Sequence, residues 1–174
     1  MSDIRERFKF GATYERDIYR KGKLLYHDVA HNLVTTEGLD QMMNAQFHGV
    51  AAIGTWYCVM SETNTAPAAG MTYATPSFTE TQAYGEGTRP VFNEAASSGG
   101  SVTNSANKAV FTINGTKTMY GAGLVGGGSA ATTKGDTAGG GTLWDFCLFA
   151  NSRAVLANDV INLTVTVSAA DDGV

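Results

Sequence analysis

The octet Ile161-Asn-Leu-Thr-Val-Thr-Val-Ser168 constrains this chain more than any other stretch. Ile161, Leu163, Val165 and Val167 alternate with small polar residues, and successive side chains of a strand point to opposite faces. The octet therefore reads as a strand with one face in a core and the other in water. Shorter apolar runs, separated by Gly- and Ser-rich stretches, repeat the theme along 174 residues, a length that fits one domain with a real core. The expected fold is all-β, a two-sheet sandwich of jelly-roll type with about eight strands and one short helix over about 35–48.

The other strand candidates are Lys23–Val34, Trp56–Met60, Thr88–Phe92, Val102–Ser105, Ala109–Ile113, Met119–Val125, Leu143–Phe149 and Arg153–Leu156. Pro90 marks an edge, and Asn114-Gly115 signals a hairpin between its two flanking strands. The helix has Thr35 or Thr36 as N-cap, Glu37 in its first turn and Gly49 at its end. Leu39, Met42, Met43 and Phe47 share one face, read as core packing. Residues 61–88 form a long connection, of a length that is functional, partner-binding or disordered. Residues 126–142 read as a mobile surface loop inside the same domain.

Charge divides the chain. Residues 1–25 carry Arg5, Arg7, Lys9, Arg16, Arg20, Lys21 and Lys23 against four acids, whereas the remainder is acidic and the net charge is −4. That balance argues against nucleic acid as the partner, since phosphate contacts need clustered cations. Residues 1–23 read either as a basic arm that docks on an acidic surface or as a solvated terminus, with Phe8 and Phe10 alternating around Lys9 as in a short strand or an extended arm; residues 24–174 read as the sandwich. Cys58 and Cys147 lie in apolar runs and read as buried thiols. No secretory h-region and no membrane-spanning run is visible.

No catalytic constellation emerges, and the chain reads as a non-enzyme with no cofactor and no metal. His27 and His31 sit in a strand, where i and i+4 stand roughly 13 Å apart. The glycine runs at 126–128 and 139–141 precede no helix N-terminus, which a phosphate cradle needs. Glu80, Glu86 and Glu94 read as isolated acids. The aromatics Trp56, Tyr57, Tyr73, Phe78 and Tyr84 leave three readings open: packing on their own sandwich, on a neighbouring subunit, or on a sugar ring.

Several stretches carry a resemblance. They are His31-Asn-Leu-Val-Thr-Thr-Glu-Gly-Leu-Asp40, Pro67-Ala-Ala-Gly-Met-Thr-Tyr-Ala74 with Tyr84-Gly-Glu-Gly-Thr-Arg-Pro90, and Ala109-Val-Phe-Thr-Ile-Asn114 with Tyr120-Gly-Ala-Gly-Leu-Val125. Together with Asn158-Asp-Val-Ile-Asn-Leu-Thr-Val-Thr-Val167, they make the chain from about residue 24 onward resemble small structural proteins of tailed bacteriophages. The resemblance implies a virion component, most like a capsid cement (decoration) protein on the capsid surface. Its implied partners are the major capsid protein and further copies of itself, a trimer being favoured. On this reading the arm cations contact the shell, while Tyr73, Phe78, Tyr84 and Arg89 lie between subunits. A glycan-binding tail or fibre sandwich and a head–tail or tail-tube subunit stay open as alternatives.

Overall fold

A computed structural model describes residues 8–171. Its elements are β1 (Phe8–Arg20), β2 (Lys23–His31), β3 (Leu33–Val34), α1 (Thr36–Phe47), β4 (Trp56–Ser61), β5 (Ser101–Thr103), β6 (Ala109–Thr112), β7 (Lys117–Gly126), β8 (Thr142–Val155) and β9 (Val160–Asp171). Strands hold 47% of the residues and helix 7%, so the fold is the expected all-β sandwich. One antiparallel sheet runs β2-β1-β9-β5, with β6 also on β9; the other runs β3-β8-β7-β4. The chain changes sheet between β2 and β3, β4 and β5, β6 and β7, and β8 and β9.

The alternation that announced β9 is what places it. Ile161, Leu163 and Val165 are fully buried between the sheets, and β9 is flanked by β1 on one side and by β5 and β6 on the other. Tyr14, Ile18 and Phe111 join them from the first sheet. Cys58, Met60, Met119, Leu124, Trp144 and Cys147 meet them from the second. Both cysteines are free, and burial pushes both thiols up, so they act as small hydrophobes.

The N-terminal arm is corrected. Phe8–Tyr19 pair with Asp171–Val160, so β1 belongs to the sandwich and the division at residue 23 does not hold for the described residues. Ala12, Tyr14, Arg16 and Ile18 point inward with the period of a strand, which the charge of Arg16 conceals in the sequence. Lys21 and Gly22, at φ 50° and 76°, close a two-residue turn to β2 of the type whose twist matches its strands. Residues 1–7, with Arg5 and Arg7, lie outside the described residues.

Three local expectations also change. Asn114-Gly115 makes no hairpin, because β6 pairs with β9 whereas β7 pairs with β4 and β8. Residues 153–156 are no separate strand: Arg153–Val155 end the long β8. The helix does form behind its Thr35 N-cap, whose hydroxyl accepts from Gly38 N at 2.9 Å. Its apolar face is not core, since Leu39, Met43 and Phe47 are exposed and only Met42 packs against the interior.

The long connection between β4 and β5 covers sheet edges. Cys58 N donates to Pro90 O, Phe92 N to Trp56 O and Thr81 N to Met60 O, each at 2.8 Å, along β4. Gly85 N reaches Thr112 O on β6, and Ala95 N reaches Thr103 O on β5. Val91, expected in a strand, contributes only a bridge to Tyr57. The segment is irregular because its amides follow three strands in turn, and it satisfies edges that would otherwise invite other chains.

Candidate functional site

Of the seven cations expected on an arm, the five among the described residues (Lys9, Arg16, Arg20, Lys21 and Lys23) do not form one surface. Arg16 is fully buried: Nη1 donates to Met119 O at 3.1 Å, and Nη2 to Asp28 at 2.9 Å and Asn151 O at 2.8 Å. Its guanidinium lies 4.1 Å over Phe149. Arg153 holds the same Asp28 through two bonds of 3.0 and 2.8 Å. Burial alone would raise the Asp28 carboxyl, but the Arg153 and Arg16 guanidiniums outweigh it and hold it below the usual carboxylate range. This trio ties β1, β2 and β8 together and is structural.

Arg20, Lys21 and Lys23 gather at the β1–β2 turn, and Lys9 stands at the other end of β1, roughly 40 Å away along an extended strand. Arg20 grips Asp159 with two 2.8 Å bonds, which join this turn to the β8–β9 turn. Lys21 and Lys23 are exposed beside it. Among the described arm cations, those that cluster at the solvent are therefore at a hairpin tip.

The four loop residues do converge, but inward. Arg89, 2% exposed, donates to Glu80 at 2.9 and 2.6 Å, to the Tyr73 hydroxyl at 3.0 Å, and to the carbonyls of Ala131 and Asp136. Tyr73 in turn donates to Asp136 at 2.7 Å, and this bond with the Gly139 amide holds the Asp136 carboxyl below its usual range. Phe78 stacks on Phe146 with ring centres 4.3 Å apart, and Tyr84 meets Phe111 edge-on at 5.1 Å. All four are buried in their own fold, which corrects their placement between subunits. The clamp borders a cavity of about 250 Å³, yet its carboxylates and guanidinium face one another. The loop expected to be mobile over 126–142, which lies between β7 and β8, supplies Ala131 and Asp136 to this clamp.

Asp145 was missed. It lies in the apolar run Leu143–Phe149 and is fully buried between the sheets. Its carboxylate accepts from Tyr14 Oη and Asn32 Nδ2 at 2.5 Å each and from Leu124 N at 2.9 Å. Burial pushes its carboxyl up to about 7, against the pull of those donors. An aspartate inside an otherwise apolar strand was the available signal. Glu37 also exceeds its expected part, since its carboxylate accepts from Tyr73 N at 2.8 Å and Leu143 N at 2.7 Å.

Glu86 accepts from Thr112 N, and Glu80 belongs to the Arg89 clamp, so each has a structural bond. Among the described residues, no three His, Cys, Asp or Glu side chains converge as a metal would require, and no helix is long and apolar enough to cross a membrane. No family model matches the chain, and no curated protein matches it either. The class that the structure defines is a two-sheet antiparallel β-sandwich with an edge-covering connection.

Proposed function

We propose that this chain is a non-enzymatic virion structural protein, a cement that decorates and stabilises the head of a tailed bacteriophage. The motif resemblance motivates the reading. The observation that supports it best is the cationic tip, Lys21 and Lys23 beside an Arg20 already paired with Asp159, on a chain whose net charge is −4. Such a separation of charge orients a protein on an acidic surface and speeds its encounter with it. A cement acts by adding buried area between capsomers, so it needs a rigid body with few loose segments. Here the long connection and the 127–141 segment are held against the second sheet by the Arg89 clamp. The partners are the major capsid protein and further copies of this chain, in the trimer that the resemblance favours.

The glycan-binding alternative rested on Tyr73 and Tyr84, and both are buried here. The test is cosedimentation with empty heads that lack this chain. Wild type pellets with the heads, and K21E/K23E binds about tenfold more weakly at low salt, a gap that narrows as salt screens the tip. Equal binding by the double variant removes the tip from the interface. Absence of wild-type binding removes the cement reading itself.

A further inference from the structure

The Asn114-Gly115 pair makes no hairpin, yet it is the one place in the chain where glycine follows asparagine. It lies in residues 113–116, where the chain crosses from β6 in one sheet to β7 in the other. The crossover is held up to the first residue of the pair: Ile113 N donates to Asp159 O at 2.8 Å, and Asn114 N to Ala83 O at 3.1 Å. There the restraint stops. Among the described residues, neither the Asn114 side chain nor the Gly115 amide makes a hydrogen bond, and Asn114 is exposed. A Cβ on Gly115 would meet only Ala83 Cβ, at 3.8 Å, so the site is also uncrowded.

These conditions favour one covalent reaction. The amide nitrogen that follows an asparagine reaches that side chain's Cγ through a five-membered ring, and such proximity replaces a bimolecular encounter. Glycine favours the approach, because it has no side chain to obstruct it and its backbone turns freely. Other asparagines of the chain show the opposite arrangement. Asn104, before Ser105, is fully buried; its Nδ2 donates to Leu163 O at 3.1 Å and its Oδ1 accepts from Val165 N at 2.7 Å. Asn32, before Leu33, is tied in the same way, to Ala12 N and to Asp145. Their side chains are fixed away from the attacking nitrogen, whereas that of Asn114 turns freely.

We propose that Asn114 is a site of spontaneous self-modification, in which the folded chain converts its own side-chain amide to an acid. The Gly115 nitrogen gives its proton to solvent base and attacks Asn114 Cγ. The new N–Cγ bond forms, the Cγ–Nδ2 bond breaks, and Nδ2 takes up a proton and leaves as ammonia. Water then opens the cyclic imide at either carbonyl. Attack at the side-chain carbonyl gives an aspartyl residue. Attack at the backbone carbonyl gives an isoaspartyl residue, whose main chain is one carbon longer. Water is the sole co-reactant, ammonia the sole by-product, and nothing is oxidised or reduced. Each product adds one negative charge to a chain of net charge −4, and the isoaspartyl form lengthens the crossover between the sheets. The reaction needs no partner, so it stands apart from the shell reading.

The test incubates the full folded chain at mildly alkaline pH and follows it by ion exchange and by peptide mapping with mass spectrometry. A more acidic species should accumulate, faster at higher pH because the attacking nitrogen must lose its proton. Conversion at Asn114 should exceed that at Asn32 or Asn104 by at least about tenfold. An enzyme that methylates isoaspartyl residues should label the same peptide. Asn114→Gln, which must close a larger ring, and Gly115→Ala, which obstructs the approach, should each suppress the acidic species while the melting transition stays in place. The same chain unfolded in urea is the reference. Conversion at Asn114 in the unfolded chain with none in the folded one overturns the proposal, because the fold then protects the pair. An acidic species that persists in Asn114→Gln overturns it as well.

Discussion

Asp145 is the residue that most clearly shows how one side chain links the two sheets. Tyr14 on β1, Asn32 after β2 and Leu124 on β7 all donate to it, and no cation sits among these three partners. A buried carboxyl titrating near 7 is easier to protonate in the folded chain than in the unfolded one, where its value is about 4. Its contribution is therefore complete below about pH 4 and disappears as pH rises toward 7, at roughly 1 kcal/mol per pH unit. Asp17, Asp28, Asp136 and Asp159 act oppositely: partners hold them low, so they lose stability only as pH falls below about 4. The chain should accordingly be most stable on the acid side of neutrality. Measured against Asp145→Asn by denaturant titration, the wild-type advantage should shrink steadily between pH 4.5 and 7 and then level off. An advantage that stays constant across that range would show that Asp145 does not titrate there.

At the scale of elements, α1 depends on how closely it approaches β8. A Cβ on Gly38 would stand 2.4 Å from the Trp144 carbonyl oxygen, a backbone atom that cannot swing aside. Gly38→Ala should therefore destabilise the chain by about 1–3 kcal/mol, although alanine favours helix by about 1 kcal/mol. Gly54→Ala, with open space around it, is the control and should be near neutral in a thermal melt. A stabilised Gly38→Ala protein would mean that the helix can move off β8 without loss.

How much of this was legible in the sequence follows from what each element's pattern depends on. Alternation revealed β9, and the N-cap revealed α1, because both signals are local. The alternation of Phe8 and Phe10 hinted at the start of β1, but its full length was hidden because Arg16 holds an inward position that Asp28, Met119, Asn151 and Phe149 make tolerable. The Asn114-Gly115 signal failed for the same reason: the turn is local, but the choice of sheet is not. Apolar spacing placed Leu39, Met43 and Phe47 on one face of the helix and could not say whether that face meets a core or another molecule. The Arg89 clamp draws on Glu80, Tyr73, Ala131 and Asp136, scattered residues that no spacing rule joins.

At the scale of the whole molecule, the fold turns most of its unusual side chains inward. Arg16, Arg89, Asp145, Tyr73 and Tyr84 are buried, and the connection between β4 and β5 lies along three strands. What remains outside includes a cationic turn at Lys21 and Lys23, the apolar side chains Leu24, Leu25, Tyr26 and Val29 of β2, and an apolar helix face ending in Phe47. On the proposed reading, the cationic turn suits docking on an acidic shell. A body of this kind, added between capsomers, would raise the barrier to their separation. The direct measurement is the thermal rupture temperature of empty heads lacking this chain, followed by release of their contents or by light scattering, with and without saturating protein. The cement account predicts saturable binding and a rupture temperature raised by several degrees. Heads that bind no protein, or that bind it and rupture at an unchanged temperature, would contradict it.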